Sequence, residues 1–251
     1  MTNYKASMED KFDSEGFIIH RDFIRPEEVS DILENVERFI REIVPNLPSD
    51  QVFYEDKNKP ATLKQIQQMF KHDSFFHSLM VGSKFEQLAS QLLKQPVRPV
   101  NMQFFSKPPM SDMATPPHQD GAYFMLEPME AVTMWLALDK VDEENGCLRY
   151  VPGSHKSEPL IHNKTDTLGF SLGLTTTGTS SSEEEILVKV KPGDLAAHHP
   201  WTIHRADGNK SRTRTRRALG LIYYGENAKE TEAKQKYQKN LNERLKNEGR
   251  L

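Results

Sequence analysis

After Gln95 the hydrophobic period of this chain changes, and that change limits the folds open to it. From Val97 to about Tyr224 the apolar residues fall in short runs: VRPVNMQFF, AYFML, AVTMWLAL, CLRYV, EILVKV, DLAAHH and RALGLIYYG. Turn signals such as ENG and KPGD divide them, with Gly or Asn supplying the backbone angles that tight turns need. Many short strands between such turns predict a β sandwich or barrel. Before Gln95 the spacing is helical. Residues 22–44 place Val29, Ile32, Leu33, Val36, Phe39, Ile40 and Ile43 on one face, with Pro26 and two glutamates at the first turn. A second helical zone is predicted over about 62–93, broken near His72–Asp73 and Gly82. Within it SKFEQLASQLL again presents one apolar face. The expected architecture is mainly β with flanking helices in one domain over 1–251. It divides into a helical part to about 95, a β core over about 96–225 and a charged tail from 226, read as a solvated helix.

The remaining bounds are quickly drawn. A chain of 251 residues can bury a substantial core. Its formal net charge of −3 is too near neutral for a polyanion-binding surface, so no nucleic-acid partner is expected. No apolar run approaches the roughly 20 residues that span a bilayer, and the opening MTNYKASMEDKF lacks the zones of a signal peptide. The single cysteine, Cys147, permits no internal disulfide and reads as a small core residue. A reducing cytoplasm is the expected compartment.

One short stretch carries chemistry. In TPPHQDGAYF, His118 and Asp120 stand two residues apart. On a strand, residues i and i+2 share a face with Cα atoms roughly 6.5–7 Å apart, so an imidazole and a carboxylate would point into one space. Downstream, PGDLAAHHPWTIHRADGNKS offers His198, His199 and His204. Two histidines and one acid leave open positions on a metal, the arrangement of non-haem Fe(II) oxygenases. A hydrolytic zinc site would usually carry H-E-x-x-H on a helix, which is absent here. Among the arginines that follow, Arg216 lies at the mouth of an apolar strand, where a guanidinium facing inward could clamp a carboxylate.

The ordered series HQD, Trp135, ENGCLRYVPGSHK, KPGDL, then His204 followed by NKS and RRAL, together with the opening DKFDSEGFIIHRDFIRPEEV, resembles the phytanoyl-CoA dioxygenase family over residues 10–225. The resemblance implies a double-stranded β-helix (jelly-roll, cupin-like) core. It implies an Fe(II)- and 2-oxoglutarate-dependent dioxygenase that uses O2, with ascorbate as a candidate reductant. It also implies that His118, Asp120 and His204 hold iron and that Arg216 grips the distal carboxylate of 2-oxoglutarate. Gln119, Trp135 and Met102 or Gln103 would surround the same space. Where many members have a hydroxyl residue two places after the second histidine, this chain has Ala206, so Thr133 becomes the candidate for that contact. Arg217 competes with Arg216 for the arginine role.

The substrate is less constrained. Lys107, Arg205, Asn209, Arg212 and Arg214 are expected around the mouth and suit a small anionic or zwitterionic molecule. Tyr123 is a further candidate contact, and residues 162–182 a candidate lid. The chain looks closest to the branch that hydroxylates 2-aminoethylphosphonate to 2-amino-1-hydroxyethylphosphonate. Alternatives are a hydroxylase of another small metabolite or an acyl-CoA, a zinc hydrolase, or a non-catalytic cupin-like metal-binding protein.

Overall fold

The computed structural model describes residues 6–165, 167, 171–174 and 185–247. Its helices are α1 (Met8–Glu15), α2 (Pro26–Glu42), α3 (Met69–His72), α4 (Ser74–Met80), α5 (Lys84–Leu93), α6 (Gly121–Phe124) and α7 (Glu232–Asn247). The first strands are β1 (Phe17–His20), β2 (Val52–Tyr54), β3 (Leu63–Ile66), β4 (Val97–Lys107) and β5 (Thr115–His118). Next come β6 (Leu126–Glu127), β7 (Ala131–Ala137), β8 (Leu148–Tyr150), β9 (His162–Lys164) and β10 (Leu172–Leu174). The last are β11 (Ile186–Leu187), β12 (Leu195–His198), β13 (His204–Ala206), β14 (Arg216–Gly225) and β15 (Lys229–Glu230).

Two antiparallel sheets dominate. The larger runs β1-β12-β7-β14-β4-β3-β2 and the smaller β11-β8-β13-β5. Alternation along the central strands decides what each face meets. On β7, Val132, Met134 and Leu136 point outward, and on β14 so do Leu219, Leu221 and Tyr223. These pack with Val29, Ile32, Val36 and Phe39 of α2 and Phe85, Leu88 and Leu92 of α5 in one apolar cluster. The opposite face carries Trp135, Ala137, Ala196 and Ala218, which meet Leu148, Tyr150 and Ala206 of the smaller sheet. The inner face is rich in small residues, and a cavity lies between the sheets.

Several expectations are corrected. The zone expected to be helical from residue 62 begins instead with β3, whose LKQI is buried at every position and so shows no alternation. AYFML is not a strand: Gly121–Phe124 forms a helical turn after Asp120. The tail is indeed helical as α7, but it is not merely solvated, because Lys234, Tyr237, Gln238 and Leu241 line the cavity. Of the candidate lid, residues 162–165, 167 and 171–174 are described, with β9 and β10 pairing as a small hairpin; the rest of 162–182 lies outside the described residues. Among the described residues no helix is long and apolar enough to cross a membrane.

Candidate metal centre

The cavity between the two sheets measures about 750 Å³, and His118, Asp120 and His204 line it together. Each arrives by a different device. His118 ends β5 and His204 begins β13; the two are direct cross-strand partners, with ring centroids 4.1 Å apart. Asp120 is not on the strand at all. Its backbone is already helical, at φ −59° and ψ −31°, and it starts the turn of α6. Gly121 is required there because a Cβ would lie 2.4 Å from the Trp201 ring. The carboxylate therefore swings back over the strand end by a turn rather than by two-residue alternation.

The ligand atoms are pre-oriented. His118 donates from Nδ1 to the Pro116 carbonyl at 2.8 Å, and His204 donates from Nδ1 to the Thr202 carbonyl at 3.0 Å. Both rings are thereby fixed in the tautomer whose Nε2 carries the lone pair. Those Nε2 atoms stand 3.5 and 3.7 Å from Asp120 Oδ1, and the three groups offer ligand atoms all within 4.8 Å of one another. An octahedral ion with bonds of about 2.1 Å sets neighbouring ligand atoms about 3 Å apart, so a small cation fits with little movement. Burial opposes ionisation of Asp120, but the facing histidines outweigh it and hold its carboxyl well below the usual range. Burial and the neighbouring histidines push His204 well below its ordinary value. An ionised acid beside a neutral imidazole is the state a divalent ion needs.

A second layer fixes the carboxylate. Thr133 donates to Asp120 Oδ2 at 2.6 Å, so its hydroxyl is committed to the acid rather than to a cosubstrate. His198, the partner of Thr133 across β7 and β12, lies 3.1 Å from the same oxygen through Nε2. Its Nδ1 meets the Tyr150 hydroxyl at 2.8 Å. With the tyrosine donating to Nδ1, His198 donates Nε2–H to Asp120. His198 thus supports the acid, while His199 turns away toward Phe12 and His155. Sequence could place His198 near the site but could not separate this supporting role from ligation. Because Thr133 orients Asp120, Thr133→Val should weaken Fe(II) binding by roughly tenfold at unchanged volume, read by metal titration. An unchanged affinity would show that His198 alone positions the acid.

Arg216 lies in the same cavity, 4% exposed. Its guanidinium carbon stands 5.5 Å from the Trp135 ring centroid, and Nε has no hydrogen-bond partner among the described residues. Burial lowers its pKa to about 10. An isolated buried guanidinium is costly, and a carboxylate entering the cavity would relieve it. Arg217 faces the other way and pairs with Asp139 at 2.8 Å. Trp135 and Gln103 line the cavity; Met102 does not, since alternation on β4 sends it into the helix-side core.

The other expected contacts divide. Gln119 is fully buried outside the cavity lining, donating from Nε2 to the Trp201 carbonyl and accepting from the Leu160 amide, so it staples loops together. Tyr123 lines the cavity, with its hydroxyl donating to the Leu172 carbonyl of β10 at 2.6 Å. Lys107 also lines it, donating to the Asp207 carbonyl at 2.6 Å. Burial, with Arg216 and Lys64 nearby, lowers its pKa to about 6. Arg205 and Asn209 do not reach the site. Arg205 pairs with Glu185 and Asp207, and buried Asn209 donates to the carbonyls of Lys107 and Arg214. Arg214 is held by Asp142 and Glu144, and Arg212 is exposed, so the expected basic mouth is much reduced. Buried Cys147 has its thiol pushed up by burial, as suits a core residue rather than a nucleophile.

A family model described as Phytanoyl-CoA dioxygenase (PhyH) matches residues 12–218. A phytanoyl-CoA dioxygenase of Arabidopsis thaliana is 25% identical over 248 residues, covering 84% of this chain and 86% of that protein. A probable alpha-ketoglutarate-dependent hypophosphite dioxygenase of Stutzerimonas stutzeri is 25% identical, covering 84% and 76%. Among solved structures, EctD from S. alaskensis with 2-oxoglutarate and 5-hydroxyectoine aligns at a TM-score of 0.74 and 18% identity, covering 90% of this chain and 78% of that one. The alpha-ketoglutarate-dependent carbocyclase SnoK aligns at 0.72 and 22%, covering 90% and 86%. These likenesses show the jelly-roll fold. From the extent of the family match and a His-Asp-His metal site in the expected cavity, the chain belongs to the phytanoyl-CoA dioxygenase family and is an Fe(II)- and 2-oxoglutarate-dependent dioxygenase.

Proposed function

We propose that His118, Asp120 and His204 hold Fe(II), that Arg216 receives the distal carboxylate of 2-oxoglutarate, and that the enzyme hydroxylates an unactivated C–H bond of a small anionic or zwitterionic molecule, with 2-aminoethylphosphonate as the specific candidate. The observation that carries this reading is Arg216, a buried guanidinium in the same cavity as the triad whose Nε has no hydrogen-bond partner among the described residues. When bound, iron with its cosubstrate supplies the oxidation: 2-oxoglutarate loses carbon dioxide to become succinate, and the two atoms of O2 divide between succinate and the new hydroxyl group.

The protein's own part is positioning and exclusion of water. Carbonyls of Pro116 and Thr202 lock the ligand rings, and Thr133 and His198 aim the acid. Trp135 forms a flat wall beside Arg216, over which a keto acid would lie. Above the site, Lys234 of α7 donates to the Tyr123 carbonyl, and the Tyr237 hydroxyl meets Ser171 at 2.6 Å. The terminal helix thus joins the turn that carries Asp120 to the segment bearing β10. A cavity of about 750 Å³ has room for a cosubstrate and a small substrate. Its lining mixes carboxamides, Gln65, Gln103, Gln238 and Asn242, with apolar side chains such as Phe53, Phe105 and Leu241.

The phosphonate candidate draws support from the Stutzerimonas relative, whose name assigns it a small phosphorus oxyanion. Incubation with Fe(II), ascorbate, 2-oxoglutarate and 2-aminoethylphosphonate, followed by phosphorus NMR, should show a new 1-hydroxyphosphonate resonance with equimolar succinate. No new phosphorus signal removes that substrate. Succinate formed with another compound from a panel of small amines, amino acids and phosphorus oxyanions would redirect the assignment.

A further inference from the structure

The wall of the cavity on the β3 side carries buried polar groups apart from the metal triad and Arg216. Gln65 on β3 is 3% exposed and lines the cavity. Its Nε2 donates to Gln103 Oε1 at 2.6 Å, and its own carbonyl oxygen is buried with no partner among the described residues. Gln68, just past the end of β3 with φ +59°, is held there by its amide donating to Asn101 Oδ1 at 2.9 Å. The Gln68 Oε1 atom is a second buried acceptor without a partner among the described residues. Asp50 and Glu55 line the same wall, so it is rich in acceptors, and Lys64 of β3 lines it as well.

This wall lies to one side of the path between the triad and Arg216. That path runs over Trp135 of β7 and its cross-strand partner Gly220 of β14. Gln65 belongs to the second strand beyond β14, roughly 10 Å away across the sheet. A keto acid dianion carries no N–H or O–H group, so it would leave the Gln65 and Gln68 acceptor oxygens unmet. Buried acceptors left unsatisfied are costly, and native structures seldom keep two of them at one wall without a ligand to meet them.

We infer that Gln65 and Gln68 accept hydrogen bonds from an N–H or O–H group of the primary substrate, an ammonium or a hydroxyl, and so select substrates that carry a donor at the end away from the anion. The inference rests on the proposed oxygenase site and adds to it a recognition point outside the iron and cosubstrate contacts. For 2-aminoethylphosphonate the donor would be the ammonium group.

The test is anaerobic titration of the Fe(II)–2-oxoglutarate form with 2-aminoethylphosphonate, 2-hydroxyethylphosphonate and ethylphosphonate, read as a shift of the visible absorption of the iron–keto acid chelate. The wild type should bind at least one of the two donor-bearing probes about tenfold more tightly than ethylphosphonate. Gln65→Leu should erase that preference while leaving 2-oxoglutarate affinity unchanged. Gln65→Glu should restore it for the ammonium probe and separates lost recognition from lost folding. A Leu variant that discriminates as the wild type does, or that weakens 2-oxoglutarate instead, overturns the inference. If no phosphonate shifts the wild-type spectrum, the phosphonate candidate fails on its own. The comparison is then run with 3-aminopropionate, 3-hydroxypropionate and propionate, where equal binding of all three by the wild type overturns the donor subsite itself.

Discussion

Asp120→Ala should lower succinate formation by about 10³-fold or more, with little change in the fold. The acid supplies the one negative charge among the three grouped ligands. Without it, two neutral imidazoles must hold a divalent ion alone. The substitution also strands its supports, because Thr133 and His198 both spend a hydrogen bond on Asp120 Oδ2. Iron content measured beside succinate release separates a lost metal from a lost alignment, and circular dichroism confirms folding. A variant that keeps iron and turns over at the wild-type rate would mean that another residue completes the metal site.

Arg216→Leu should give the second large effect, and it has two parts. The KM for 2-oxoglutarate should rise about 100-fold, since a paired guanidinium–carboxylate contact in a buried site is lost. Thermal stability should hold or increase, because a buried guanidinium with no ion-pair partner among the described residues is replaced by an apolar side chain of similar volume. A residue serving only the fold would show the reverse. The neighbouring Arg217→Leu is the control: it breaks a half-buried pair with Asp139, which should cost about 1 kcal/mol of stability and leave the KM alone. Should the Arg217 variant be the one that loses 2-oxoglutarate, the arginine assignment would have to be exchanged.

How much of this could be read from the chain depends on which physical signal each element left behind. The change of period after Gln95 marked the sheet region because strands packed on one face by helices must alternate, as β7 and β14 do. β3 left no such mark: every residue of LKQI is buried, and two of the four are polar residues that line the cavity. AYFML is apolar over a length that suits either a strand or a helical turn, and its backbone is decided by Asp120 and Gly121 before it. The three metal-binding candidates meet in space, yet by a different backbone from the one alternation implied, with a strand end and a turn in place of a continuous strand. Period could say that only one of Met102 and Gln103 faces inward, but not which, since both sheet faces are buried. The basic mouth failed for another reason. Arg205 and Arg214 are neutralised by Glu185, Asp207, Asp142 and Glu144, partners brought close only by the fold. Likewise the tail's charged sequence gave no sign of its place over the cavity, because α7 docks largely through polar contacts such as Lys234 to Tyr123 and Tyr237 to Ser171.

On the proposed reading, two imidazoles and one carboxylate converge on a ferrous ion beside a guanidinium that holds the keto acid. Its most direct measurement is anaerobic titration of the purified protein with Fe(II) and 2-oxoglutarate, watched in the visible range. Stoichiometric growth of the weak charge-transfer absorption of the chelate is predicted, absent in Asp120→Ala and displaced to much higher 2-oxoglutarate concentration in Arg216→Leu. A wild-type protein that binds Fe(II) yet develops no such absorption at saturating 2-oxoglutarate, or an Asp120→Ala protein that develops it in full, would contradict the account.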